Sequence, residues 1–350
     1  MVVQLVGSAD RARARALVEA QGLSFEEGFD DLVGVFEGGA LVATGARAGD
    51  VLKMIAIDGE HQSGGLLGEL VGELARLGLA AGHPGLFVFT RPQRAPSFEA
   101  LNFRLLASQG EAALLELGGR FEAWAQGCRR ALAAGGGPGD AAASPVEPVG
   151  AVVLNANPFT RGHQWLVEQA AARSSRLCLL VVREDRSAFP FEARRRLVEA
   201  GTRHLENVVV LDTGPYAVSA LTFPAYFLAR GAPVPRIQLE LDLALFGARV
   251  APALGVRRRF VGTEPSCATT RAYNAAMHRL LPGWGVEPVE LTRVEAGGAP
   301  ISASTVRAAL ARGDLAALKA LVPEATLAYL LSPEGRAVGA RLASSQGRHG

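Results

Sequence analysis

The feature that most limits what this chain can fold into is an apolar run, Val149-Gly150-Ala151-Val152-Val153-Leu154. It passes without a break into Asn155-Ala156-Asn157-Pro158-Phe159-Thr160-Arg161-Gly162-His163. A run that is apolar at every position fits a strand covered on both faces in a parallel sheet, not an alternating, half-solvated one. Beyond the turn, His163, Leu166, Val167, Ala170 and Ala171 recur at helical spacing. The strand therefore feeds a helix, with His163 in the first turn above the strand's carboxyl end. Ligands of open α/β sheets gather at that end.

The alternation continues downstream. Leu177-Cys178-Leu179-Leu180-Val181-Val182 reads as a second buried strand, ending at Arg183-Glu184-Asp185. A helix around Arg194, Leu197 and Val198 follows, then strands at Val208-Val209-Val210-Leu211 and Phe260-Val261-Gly262. Late in the chain, Ile301-Ser302-Ala303-Ser304-Thr305-Val306-Arg307 opens another helix, with Ser302 placed to cap it.

Each residue type in these segments has a chemical reason. Gly162 would let backbone and phosphate approach closely. A helix N-terminus presents free amides and a positive dipole end to phosphate oxygens. Thr160 and His163 can donate hydrogen bonds to a phosphorus centre as its charge develops. Gly262, followed by Thr263 and Glu264, would let the backbone edge hold a purine. Glu184 and Asp185 either touch Mg²⁺ through water or serve as surface and capping residues.

At 350 residues with 49% apolar content, the chain has material for two cores. The soft boundary lies at 131–148, where Gly, Ala and Pro dominate and no apolar period survives. Ahead of it, Leu32-Val33-Gly34-Val35-Phe36-Glu37 and Gly39-Ala40-Leu41-Val42-Ala43-Thr44-Gly45 read as strands joined by a hairpin at Glu37-Gly38-Gly39. A third strand, Leu52-Lys53-Met54-Ile55-Ala56-Ile57, leads through Gln62-Ser63-Gly64-Gly65 to a helix with Leu70, Leu74, Leu77 and Ala81 on one face. Strands are expected again at Leu86-Phe87-Val88-Phe89-Thr90 and at Phe98-Glu99-Ala100-Leu101-Asn102-Phe103, and the polar tail after Ser332 is expected to be poorly ordered.

Other classes are excluded. No apolar run approaches the roughly 18–20 residues that span a bilayer, and the N-terminus lacks the basic start of a secretory signal. A net charge of +2 gives no electrostatic case for nucleic acid. A cytoplasmic protein with no membrane or nucleic-acid partner is expected. The three cysteines, Cys128, Cys178 and Cys267, are far apart and match no disulfide or zinc pattern. A thiol intermediate on one of them stays open.

The first half resembles the GNAT acetyltransferase fold, whose glycine loop opens a helix and holds a CoA pyrophosphate. Gln62 and Gly65 match that loop, with Gly64 beside them as a further candidate for docking the CoA-like group, while Leu67 stands where a small residue belongs. This resemblance implies either docking of a CoA-like group or a loop that only packs a helix on a sheet. The second half carries a Thr-x-Gly-His and an Ile-Ser-x-Ser-x-x-Arg, which resemble the signatures of HxGH/TxGH nucleotidyltransferases.

Together with Phe189-Pro190-Phe191-Glu192-Ala193-Arg194, Leu241-Asp242-Leu243-Ala244-Leu245-Phe246, Val261-Gly262-Thr263-Glu264-Pro265 and Tyr273-Asn274, nearly the whole chain resembles the citrate (pro-3S)-lyase ligase family. The implied fold is α/β. A C-terminal Rossmann-like parallel-sheet nucleotidyltransferase domain (149–331) follows an α+β GNAT-like domain (1–130), a flexible linker (131–148) lies between them, and a polar tail (332–350) closes the chain.

The implied activity is acetylation of the thiol of the CoA-like prosthetic group on the citrate lyase acyl-carrier subunit. It would use ATP, acetate and Mg²⁺, pass through acetyl-adenylate, and release AMP and pyrophosphate. The implied catalytic residues are Thr160, His163 and Arg307. The implied nucleotide-binding residues are Asn155, Asn157, Pro158, Phe159, Gly162, Arg194, Gly262, Glu264, Ile301, Ser302 and Ser304. No protein cage for a metal is expected. Two alternatives stay open: a nucleotidyltransferase acting on nicotinamide mononucleotide or phosphopantetheine, and a non-catalytic carrier-protein adaptor.

Overall fold

The computed structural model describes residues 1–61, 65–134, 147–183, 187–219, 223–229, 231–264, 268–296 and 299–346. The chain separates into two units, Met1–Trp124 with Val218–Arg249, and Ala125–Ala217 with Val250–Gly350.

In chain order the first unit contains β1 (Val2–Gln4), α1 (Ser8–Ala20), β2 (Asp31–Glu37), β3 (Ala40–Ala48), β4 (Val51–Ile57), α2 (Leu66–Ala80), β5 (Leu86–Thr90), α3 (Ala95–Glu99), β6 (Arg104–Gln109), β7 (Ala112–Leu117) and the start of α4 (Arg120–Ala134). Its seven strands are ordered β1-β2-β3-β4-β5-β7-β6. Every pairing is antiparallel except β4 with β5, which run parallel and are paired only at Val51–Phe87 and Leu52–Val88. This is the α+β architecture expected of the first half. Leu70 and Leu74 of α2 bury fully against the sheet beside Val33, Leu52 and Val88.

Two local expectations fail here. Ala81 is not on the buried face of α2 but caps its C-terminus, exposed. Residues 98–103 are not a strand: Pro92 and Pro96 pre-set helical φ at helix starts, so α3 forms instead. Phe98 and Phe103 remain buried, packed edge to face with centroids 5.7 Å apart.

The second unit takes over within α4, whose last residues use the start of the expected linker; residues 135–146 lie outside those described. It continues with β8 (Gly150–Leu154), α5 (Arg161–Ala171), β9 (Leu177–Val181), α6 (Phe191–Thr202) and β10 (Val208–Asp212). Residues 218–249, read from sequence as part of the C-terminal half, then return to the first unit. The Tyr226 hydroxyl donates to the Phe89 carbonyl at 2.6 Å, and α7 (Val234–Leu245) packs on β6 and β7. The second unit resumes with α8 (Ala251–Leu254), β11 (Arg258–Gly262), α9 (Ala268–Leu280), β12 (Glu287–Leu291), the short hairpin β13 (Glu295–Ala296) and β14 (Ala299–Pro300), and helices α10 (Ala303–Arg312), α11 (Leu315–Leu321), α12 (Glu324–Leu331) and α13 (Pro333–Gln346).

The second unit's sheet has the order β10-β9-β8-β11-β12, with every pairing parallel. All its strand carboxyl ends therefore point the same way, as the apolar runs predict. Val152, Leu179 and Phe260 from the strands meet Val167 of α5 and Val198 of α6 in one core. A neighbouring cluster joins Phe189 and Ile301 to Val306, Leu330 and Val338. Val338 belongs to α13, so residues 333–346 of the expected loose tail are helical: the apolar positions in that stretch find α10 and α12 to pack on. Among the described residues no helix is long and apolar enough to cross a membrane.

Candidate active site

The two helices flagged by sequence start beside one another. Thr160 caps α5: its hydroxyl accepts the His163 amide at 3.2 Å, and its own amide donates to His163 Nδ1 at 3.1 Å. Ser302 caps α10 by accepting the Thr305 amide at 3.1 Å, with its hydroxyl 2.8 Å from that of Ser304. Gly162 makes the approach possible, because a Cβ there would sit 2.9 Å from the Ile301 carbonyl oxygen. The contact that glycine admits is thus the backbone of the other motif, where the sequence suggested a phosphate. Arg307 closes the join by donating to the Asn157 carbonyl at 2.6 Å.

A cavity of about 240 Å³ opens at this junction, lined by Gly162, His163, Trp165, Leu166, Gly262, Arg293, Ile301, Ser302 and Ala303. Thr160 does not line it and is buried, so its hydroxyl acts as a cap that positions His163. Because a backbone amide can only donate, Nδ1 of His163 is the acceptor, and the proton of the neutral ring sits on Nε2. Phe159, fully buried, stacks behind the imidazole with centroids 5.8 Å apart and planes 19° from parallel. Phe159 thus supports the histidine from the core.

Protein atoms around the ring, and secondarily the Arg293 guanidinium, push the His163 pKa down to about 4. The free side chain titrates near 6.5, so the folded chain disfavours protonation and loses stability as pH falls from about 6.5 towards about 4. Near pH 7 the ring is neutral. A pH–rate profile of the full chain should accordingly show no acid limb from this group between pH 5 and 7, with activity falling only as pH drops through about 4. An acid limb near 6.5 that disappears in His163→Ala would contradict this.

The loop between β8 and α5 is held by Arg194. Its side chain is fully buried, with Nη1 donating to the Asn155 carbonyl (2.7 Å), Asn155 Oδ1 (2.7 Å) and the Val182 carbonyl (2.9 Å), and Nε donating to the Phe189 carbonyl (3.1 Å). Sequence places Arg194 among nucleotide ligands; in the structure its guanidinium donates to oxygens of Asn155, Val182 and Phe189. Asn155 also exchanges hydrogen bonds with Ser187, and Asn157 Oδ1 accepts the Phe189 amide. A cis peptide joins Asn157 to Pro158.

Sequence reasoning missed Arg293. Its amide donates to Thr263 Oγ1 at 3.2 Å, and its guanidinium pairs with Glu264 at 2.6 Å. Its side chain lies over Gly262, where a Cβ would come within 3.3 Å of Arg293 Cγ and Nε. Gly262 and Glu264 therefore seat an arginine, where a bare backbone edge for a purine was expected. No local motif marks this residue. The only signal is its place just past the end of a parallel strand, β12. A second, larger cavity of about 650 Å³ adjoins Arg293 and is lined also by Thr263, Glu264, Asn274, His278 and Glu290.

Among the described residues no group of three or more His, Cys, Asp or Glu is placed to hold a metal. Glu184, Asp185 and Cys267 lie outside the described residues. Burial pushes the Cys128 thiol up to about 11 and Cys178 up to about 12, so neither supplies a thiolate nucleophile. In the first unit Gln62 and Gly64 are outside the described residues, and Gly65 caps α2. Leu67 lines a cavity of about 200 Å³ there, together with Ile55, Ile57, Arg94, Phe98 and Phe227.

Parallel strands whose carboxyl ends meet two capped helix starts define the second unit as a parallel-sheet α/β fold. A family profile described as "Citrate lyase ligase C-terminal domain" matches residues 149–330. The citrate (pro-3S)-lyase ligase of Klebsiella pneumoniae is 43% identical over 295 residues, covering 83% of this chain and 84% of that protein. The protein of that name from Escherichia coli (strain K12) is 37% identical over 297 residues, covering 83% and 81%. The chain belongs to the citrate lyase ligase family and is an enzyme of that kind. Among solved structures, a putative GNAT-family acetyltransferase from Desulfovibrio desulfuricans is similar at a TM-score of 0.29 and 18% identity, covering 34% of this chain and 98% of that one.

Proposed function

We propose that this enzyme activates citrate lyase by acetylating the thiol of the CoA-like group on its acyl-carrier subunit, using ATP and acetate through acetyl-adenylate. The observation that carries the chemistry is the convergence of two helix N-termini on His163, held by Gly162 against Ile301 and Arg307 against Asn157. Free amides of α5 and α10 and the hydroxyl of Ser302 suit phosphate oxygens. His163, neutral and carrying its proton on Nε2, is a donor towards a phosphate oxygen whose charge grows as the bond to the leaving group stretches. An acetate oxygen forms a bond to the α-phosphorus while the bond to the β-phosphate oxygen breaks, and pyrophosphate leaves. The carrier's thiolate then attacks the acetyl carbon, and AMP leaves with the oxygen it gained.

Mg²⁺ would arrive with the triphosphate and neutralise part of its charge; the described residues provide no cage of their own for it. The cavity beside Leu67 in the first unit, with the Gly65 turn, is the candidate docking place for the CoA-like group.

Pyrophosphate release by the full chain, with ATP, Mg²⁺ and acetate, tests this. It should require acetate and rise when deacetylated citrate lyase is supplied, with acetyl thioester appearing on the lyase. Release with nicotinamide mononucleotide or phosphopantetheine but with no carboxylate would replace the reading with pyrophosphate-bond formation. No turnover with any of these acceptors would favour an adaptor.

A further inference from the structure

The adenylyl-transfer reading leaves Arg293 without a task, and the inference drawn here rests on that reading. The smaller cavity is walled by a neutral imidazole, a hydroxyl, two helix starts and the Arg293 side chain, and among the described residues no acidic side chain lines it. Such a wall favours an anion. Among the described residues Arg293 is the one arginine in that lining, and it also lines the larger cavity next door.

Three features fix its position. Its backbone extends the β11–β12 register: the Thr263 amide donates to the Leu291 carbonyl at 2.8 Å, and the Arg293 amide donates back to Thr263 Oγ1. Gly262 leaves room for its side chain to lie flat. Glu264, its side chain only 9% exposed, holds one side of the guanidinium fork, while 28% of the Arg293 side chain stays accessible. A guanidinium carries five donors in a rigid plane, so a fork fixed on one side by a carboxylate still presents N–H groups on the other.

We propose that Arg293 grips a phosphate of ATP, and that Glu264 is its positioning partner and not a purine ligand. The two cavities then form one nucleotide path with the arginine at its waist.

Equilibrium binding of ATP and of adenosine to the full-length wild-type chain, Arg293→Ala and Arg293→Lys, measured by calorimetry, tests this. Loss of a charged hydrogen bond should weaken ATP binding about 10- to 100-fold in Arg293→Ala, with adenosine affinity unchanged. Arg293→Lys keeps the charge above Gly262 and should fall between wild type and alanine for ATP, again with adenosine unchanged. That comparison decides the matter even if the alanine variant does not fold. ATP affinity unchanged in both variants, or adenosine weakened by the same factor as ATP, would overturn the assignment. Wild type that binds no ATP would instead overturn the adenylyl-transfer reading itself, and this inference with it.

Discussion

His163→Ala is expected to lower acetate-dependent pyrophosphate release by roughly 10²- to 10³-fold, the loss seen when one preorganised donor to a developing oxyanion is removed. The effect should fall on kcat, because a donor aimed at charge that appears only in the transition state contributes little to the ground state. The side chain also accepts the Thr160 amide, so the variant loses part of its α5 cap, at a cost of about 1 kcal/mol. His163→Asn separates the two losses, since its shorter side chain retains cap chemistry but does not reach the cavity. It should melt near wild type and remain impaired in turnover. A variant with full kcat and altered stability would reduce His163 to a cap.

Arg194→Leu should give the largest loss of stability among single substitutions around the site. The guanidinium satisfies three backbone carbonyls and the Asn155 side chain in a place with no exposed surface. Orphaning several buried acceptors at about 1–3 kcal/mol each predicts a cost of roughly 3–5 kcal/mol. At 2–4 °C per kcal/mol, the melting transition of the second unit should drop by on the order of 10 °C. A shift within about 1 °C would show that water replaces the guanidinium. ATP affinity should suffer too, because the loop from Asn155 to Thr160 that seats α5 loses its anchor.

The pattern of these dependencies explains what could be read from the sequence. The apolar run 149–154 and the capped helix start at Thr160 are local signals. They place β8 and α5 because burial on both faces and the N-cap need nothing distant. The Ser302 cap was legible for the same reason. What those helices do to each other was not: the contact between Gly162 and Ile301 links residues far apart in the chain, and it exists only once the sheet has formed.

Arg194 was visible as an arginine at a motif position. Whether it would be buried depends on the carbonyls of Asn155, Val182 and Phe189 converging on it, which no periodicity encodes. Arg293 follows a strand, Glu-Pro-Val-Glu-Leu, too polar to stand out as one. The return of residues 218–249 to the first unit turns on contacts such as that from Tyr226 to Phe89, 137 residues apart. Phe98 and Phe103 mimic a strand's apolar positions, yet the prolines before them decide for a helix.

The most direct test of adenylyl transfer to acetate is to follow oxygen. With acetate labelled by ¹⁸O in its carboxylate, unlabelled ATP, Mg²⁺ and deacetylated citrate lyase, one labelled oxygen should appear in the phosphate of each AMP released. It arrives there because the acetate oxygen bonds to the α-phosphorus and stays behind when the thiol takes the acetyl group. Label in inorganic phosphate with ADP as the other product, or AMP free of label, would contradict acetyl-adenylate formation at the site built around His163.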